Sequence, residues 1–217
     1  MRGVFVTATG TEVGKTWIAC GLARALVSRG HRVAAIKPVE TGCDPDPADA
    51  LALGEACGNL SLARADGLYR AREPLGPYAI VRRGGPEVPP LSSLAARVRE
   101  LGSGADVVIA EGAGGVLVPI DRERTFADFA IALGLPAIVV AENALGVQSF
   151  TLTAVEALER RGIEVIAVVL NQRTDDGSDL SQTSNQEVLA ALLPQLSVIA
   201  APVNGYADEL TDLVAPT

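Results

Sequence analysis

The stretch from Val4 to Thr16 constrains this chain more than any other. A β-branched and aromatic run, Val4-Phe5-Val6-Thr7, enters a loop with glycines at 10 and 14, and Gly14-Lys15-Thr16 opens a helical pattern. Strand, tight glycine-containing turn and helix together build an anion cradle: backbone N–H groups converge on the anion, and the helix dipole adds positive potential. Lys15 is placed to reach outer phosphates, and the Thr16 hydroxyl suits Mg²⁺. Such loops usually carry a first glycine where this chain has Thr9, or Ala8 if the loop is one residue longer.

The rest of the chain alternates apolar runs with helical periodicity. Residues 15–29 read as a helix with Ile18, Leu22, Ala25 and Leu26 on one face and Gly30 as its left-handed stop. Further strands are expected at Val33–Ile36, Asp106–Ala110, Ala137–Ala141, Val165–Leu170 and Ser197–Ala200. Helices are expected over 48–57, 91–101, 125–133, 146–161 and near 181–192, with a short terminal one after Pro202. Thr125 is a candidate cap with Asp128 at the third helical position, and Val147, Phe150, Ala154 and Leu158 align on one helix face. Residues 58–90, broken by Pro74, Pro77, Pro86, Pro89 and Pro90, read as irregular: a lid, a substrate wall or a connector. A polar linker covers Asp175-Asp176-Gly177-Ser178. Continuous apolar strands alternating with helices predict an α/β fold, one domain over residues 1–217, with a mostly parallel central sheet covered by helices on both faces.

Composition narrows the function. A net charge of −8 argues against nucleic acid or an anionic membrane as the main partner, since both need a basic footprint. No apolar run approaches the ~20 residues that span a bilayer, and the N-terminus enters a strand without a signal-peptide pattern. Cys20, Cys43 and Cys57 show no CxxC spacing, which argues against a disulfide framework or zinc site and fits a reducing cytoplasm. The one histidine, His31, precedes the second strand at the far end of the sheet, so neither a histidine metal cluster nor a Ser-His-Asp triad is expected.

In a parallel sheet, the loops after the strands meet at one edge. That places Lys15-Thr16, Lys37 to Thr41, Glu111 and Asn171 together, with Asp49 following in the loop and helix after the second strand. Thr16, Asp49 and Glu111 offer a hydroxyl and carboxylates, the hard oxygen ligands Mg²⁺ takes. Lys15 and Lys37 suit a place where negative charge accumulates on a transferring phosphoryl group.

These stretches carry a resemblance. Thr11-Glu12-Val13-Gly14-Lys15-Thr16, Lys37-Pro38-Val39-Glu40-Thr41-Gly42, Asp49-Ala50-Leu51-Ala52-Leu53 and Glu111-Gly112-Ala113-Gly114-Gly115 resemble dethiobiotin synthetase, and Glu73-Pro74-Leu75-Gly76-Pro77 is similar to that family's substrate-side loop. The resemblance implies a P-loop NTPase-like fold and an ATP- and Mg²⁺-dependent ring closure of 7,8-diaminopelargonate with CO₂, through a carbamate and a carbamic-phosphoric anhydride. It implies Lys37, Lys15 and Thr11 as the catalytic set. ATP would be held by Glu12, Val13, Gly14, Lys15 and Thr16, with Asn171, Pro202 and Val203 around the adenine, and the metal by Thr16, Asp49 and Glu111. The diamine would meet Thr41 and, across a homodimer interface, Leu145, Gly146, Val147 and Ser149.

The chain departs from the family pattern at Ala8, where a positive φ would cost an alanine about 1 kcal/mol, and at Ser149-Phe150, which replace an Asn-His seen in some relatives. The principal rival is a ParA- or MinD-like ATPase switch acting through partner binding. Such switches carry a Lys-Gly-Gly loop entrance, and this chain has Thr7-Ala8-Thr9. A cobyrinate-type amidation domain would need an added glutaminase domain. A Rossmann oxidoreductase would need a small residue at Val13 and an acid where Lys37 stands.

Overall fold

The computed structural model describes residues 1–173 and 179–216; the polar linker expected at 175–178 lies outside them. Its strands are β1 (Gly3–Ala8), β2 (Val33–Ile36), β3 (Val39–Thr41), β4 (Tyr69–Ala71), β5 (Val107–Glu111), β6 (Ala137–Glu142), β7 (Val165–Asn171) and β8 (Ser197–Ala201). Its helices are α1 (Lys15–Ser28), α2 (Ala48–Ala56), α3 (Pro77–Arg82), α4 (Leu91–Leu101), α5 (Phe126–Leu133), α6 (Val147–Glu159), α7 (Asn185–Leu192) and α8 (Glu209–Val214), with short 3₁₀ turns at Leu60–Leu62 and Leu180–Thr183.

Six strands form the main sheet in the order β2-β5-β1-β6-β7-β8, and every neighbouring pair is parallel. Every residue of β1, β2 and β5 is buried, so both faces of the sheet are covered; this is why these strands read as unbroken apolar runs rather than alternating ones. The core runs from Phe5, set edge-on against Phe129 at a centroid distance of 6.0 Å, to Leu22, Leu26 and Ile109. Gly30 takes the left-handed conformation (φ 86°) that ends α1. At α5, the Asp128 carboxylate accepts both the Thr125 N–H (2.7 Å) and its hydroxyl (2.8 Å).

Three features differ from expectation. Residues 58–90 are not wholly irregular: β4 pairs in parallel with β3, Val39 against Tyr69, to make a second small sheet, and Pro77 starts α3 at its first turn. Phe150 does not share the buried face of α6. Val147, Thr151, Ala154, Val155 and Leu158 fill that face, and Phe150 is 63% exposed. The helix expected near 181–192 begins only at Asn185, after the 3₁₀ turn. Among the described residues, no helix is long and apolar enough to cross a membrane.

Candidate active site

The loop after β1 is shaped by one glycine and braced from the end of β7. Gly14, the residue before α1, has φ 97°. A Cβ there would also collide with the Asn171 side-chain amide, so glycine is required for both conformation and space. Asn171 Nδ2 donates to the Val13 carbonyl (3.0 Å), and Arg173 Nη1 donates to the Glu12 carbonyl (3.0 Å). These bonds engage the Val13 and Glu12 carbonyls and tie the loop to the end of β7. Glu12 itself takes a left-handed φ of 59°. Ala8 is the last residue of β1 and is not among the positive-φ residues, so the strain considered for it does not arise. Lys15 Nζ donates to the Gly10 carbonyl at 2.9 Å across the loop.

A cavity of about 550 Å³ opens over this loop. It is bordered by Thr11, Glu12, Gly14, Lys15 and Thr16, by Lys37, Thr41 and Asp49, and by Asn171 and Asn204. Lys37 stands one residue past β2 and is 3% exposed. Its ammonium lies 2.5 Å from Glu111 Oε1 and 2.8 Å from Asp49 Oδ2. The Thr16 hydroxyl donates to the same Glu111 oxygen at 2.8 Å. Side chains 95 positions apart in sequence thus meet at one point, because parallel β1, β2 and β5 all end at this edge.

The charges set one another. Burial opposes the charge on Lys37, but Glu111 and Asp49 outweigh it and its pKa is raised. Burial drives the Glu111 carboxyl upward, only partly offset by Lys37. Burial works against the Asp49 charge as well, yet Lys37 prevails and holds its pKa low. Lys15 is lowered to about 8, first by burial and then by the neighbouring Lys37.

Asp49 is positioned by a residue that the motif reading quoted but gave no role. Pro47, before α2, provides no side-chain cap. Instead Glu40 spans the helix start: its Oε1 accepts the Asp49 N–H (2.8 Å) and its Oε2 the Ala50 N–H (3.1 Å). A buried carboxylate at a helix N-terminus satisfies orphan donors and complements the dipole.

The residues do not all come together. Pro202 and Val203 are not among the lining residues; Asn204, next in the same turn, is, together with Trp17, Gln172 and Arg173. Leu145, Gly146, Val147 and Ser149 lie at the start of α6, outside this cavity. A second cavity of about 410 Å³ adjoins the first through Thr11 and is bordered by Gly115 to Pro119 and by Phe150, Thr153 and Ala154.

A family model described as an AAA domain matches residues 2–203. The ATP-dependent dethiobiotin synthetase BioD of Anaeromyxobacter dehalogenans (strain 2CP-C) is 43% identical over 193 residues, covering 88% of this chain and 86% of that protein. Its namesake from Caulobacter vibrioides (strain NA1000 / CB15N) is 38% identical and covers 99% of both chains. The chain belongs to the dethiobiotin synthetase family. Solved structures match the fold of this synthetase at much lower identity. The MinC:MinD cell division protein complex of Aquifex aeolicus has a TM-score of 0.57 at 17% identity, covering 99% of this chain and 85% of that one. MinD of Pyrococcus horikoshii OT3, complexed with Mg-ADP, also has a TM-score of 0.57, at 16% identity, covering 93% of this chain and 82% of that one. Those likenesses concern architecture alone.

The synthetase motifs contain Lys37, Asp49 and Glu111 in their letters, whereas Trp17, Gln172, Arg173 and Asn204 went unassigned. Of these, only the tryptophan so soon after Gly14-Lys15-Thr16 offers a signal in the sequence.

Proposed function

We propose that this protein uses ATP to close the ureido ring of dethiobiotin from 7,8-diaminopelargonate and CO₂, acting as a single P-loop domain in each subunit. The observation that carries this reading is Lys37, buried beside Glu111 and Asp49 in the cavity that also holds Lys15 and Thr16. A hydrolytic switch needs the phosphate loop. A second buried lysine facing the γ-phosphate end fits a second anionic reactant there.

One amine of the diamine adds to CO₂ and loses a proton, giving a carbamate. A carbamate oxygen attacks the γ-phosphorus, the bond to the bridging β–γ oxygen breaks, and ADP leaves. The other amine attacks the carbonyl carbon of the mixed anhydride, and phosphate departs as the ring closes. The substrate supplies every nucleophile, so the protein's part is positioning and charge. Lys15 and Lys37 face the charge that spreads over the transferring phosphoryl group, with Lys37 also against the carbamate. Thr11, at the junction of both cavities, sits between the diamine and the phosphates. Thr41 lies on the substrate side.

The donor set fits Mg²⁺. Thr16, Asp49 and Glu111 present oxygen only, and among the described residues Glu111 Oε2 is buried without a hydrogen-bond partner. Mg²⁺ keeps several waters and shares itself with substrate phosphates, so two carboxylates and a hydroxyl suffice. When bound, Mg²⁺ would neutralise charge on the β- and γ-phosphoryl oxygens. The base end of ATP lies toward Asn171 and the turn of Pro202, Val203 and Asn204.

The working form is a homodimer, with the diamine carboxylate at Leu145, Gly146, Val147 and Ser149 across the interface. Leu145 and Leu180, 84% and 82% exposed, and Phe150 support this. Asp179 Oδ2 accepts the Leu145 N–H (2.8 Å), and Phe150 sits against Gly146, so the three segments meet around the start of α6.

The test uses pure protein with diaminopelargonate, bicarbonate and Mg-ATP. Expected are ADP, phosphate and dethiobiotin in equal amounts, the last identified by mass. Nucleotide turnover that ignores the diamine would instead establish the switch-ATPase reading.

A further inference from the structure

Trp17 is the chain's one tryptophan, and at 46% exposure it is far from a core residue. It follows Lys15 by two positions on α1 and lines the main cavity beside Asn171, Gln172, Arg173 and Asn204. Its indole N–H is committed: Nε1 donates to the Gly205 carbonyl at 2.9 Å. One helical turn later, α1 carries Gly21, where a Cβ would stand 2.5 Å from the Tyr206 ring. A glycine inside a helix costs about 1 kcal/mol relative to alanine, and here it makes room for that ring. Positions 17 and 21 share one helix face, so α1 seats two consecutive residues, Gly205 and Tyr206. The turn they end is closed by Gly205 N–H to the Pro202 carbonyl (3.0 Å), and it holds Asn204 at a φ of 54°.

The phosphate end of the cavity is fixed by Lys15 and Thr16. Asn171, Gln172, Arg173, Asn204 and Trp17 also line the cavity, and of these only Trp17 offers an aromatic face. We propose that Trp17 is a nucleotide-binding residue: its indole face packs against the purine or ribose of ATP, while its N–H pins the 202–205 turn beside it as the adjoining wall. An aromatic ring held at its edge by a hydrogen bond is a preorganised platform for a flat base. This rests on the reading that the cavity takes ATP.

The experiment compares wild type, Trp17→Phe and Trp17→Ala for binding of Mg-ATP and of magnesium tripolyphosphate by calorimetry. It also follows the emission of the single tryptophan in the wild type. Expected are about a tenfold loss of ATP affinity in Trp17→Ala with tripolyphosphate affinity unchanged, and a smaller loss in Trp17→Phe, which keeps a ring but not the N–H. In the wild type, ATP should shift and quench the tryptophan emission, and tripolyphosphate should not. Equal loss for both ligands in Trp17→Ala would overturn the proposal in favour of a role in folding alone, as would an unchanged ATP affinity. Full ATP affinity in Trp17→Phe would remove the pinning half. Should Trp17→Ala not fold, the emission measurement decides: no difference between ATP and tripolyphosphate overturns the proposal. A wild type that binds tripolyphosphate but not ATP would instead strike the ATP reading itself.

Discussion

Under the proposed function, Lys37 has two duties that its surroundings make separable. It is the cation between Glu111 and Asp49, and it faces the space where the γ-phosphate and carbamate would react. Lys37→Ala removes both. Leaving Glu111 buried beside another carboxylate without its partner costs about 3 kcal/mol of stability in the ligand-free protein, and turnover should fall by at least about 100-fold. Because Mg²⁺ would return positive charge to those carboxylates, the thermal midpoint of the variant should recover with Mg-ATP far more than that of the wild type. Calorimetric scans with and without Mg-ATP, beside steady-state kinetics, check both outcomes; normal kcat in this variant removes the catalytic role. At this scale the sequence was most legible where a polar residue closes an apolar strand, as Lys37 and Glu111 do. It was least legible where a side chain serves a backbone group. The bonds from Asn171 to Val13 and from Arg173 to Glu12 leave no trace in residue pattern, because their partners are carbonyls that every residue possesses.

The elements around the cavity are short, and several depend on one distant residue. α2 has no cap of its own and starts on the Glu40 carboxylate from β3. Glu40→Ala should destabilise the protein by about 1–2 kcal/mol, read as a lower midpoint in urea. It should also lower turnover, because Asp49, in the first turn of α2, loses its fixed position opposite Lys37. Glu40→Gln, which keeps one acceptor oxygen, should fall between the two. The long strands and helices were visible from periodicity alone, since each is either an apolar run or an amphipathic face of several turns. β3 and β4 were not: each has three residues, they are separated by the whole of α2, and their pairing is fixed by tertiary contact rather than by any local pattern. Phe150 was misplaced for a related reason. Spacing assigned it to the face of Val147 and Ala154, whereas the sheet accepts Thr151 instead and turns Phe150 toward the second cavity.

For the whole molecule, the exposed side chains Leu145, Phe150 and Leu180 are the test of assembly. Phe150→Glu should convert a dimer to the 22.4 kDa single chain, read by light scattering. It should raise the KM for the diamine while leaving ATP binding near wild type. A variant that stays dimeric with unchanged KM would place the interface elsewhere. The parallel sheet has one more consequence. Since every strand of it runs the same way, the connections that enter strands, at Gly30-His31, Gly104-Ala105 and Gly162-Ile163, all gather at the pole remote from the reaction. Under the proposed function the molecule therefore has one pole that carries the chemistry and another that does not, and it is the second that should accept a label, a tether or a fused neighbour without disturbing the first.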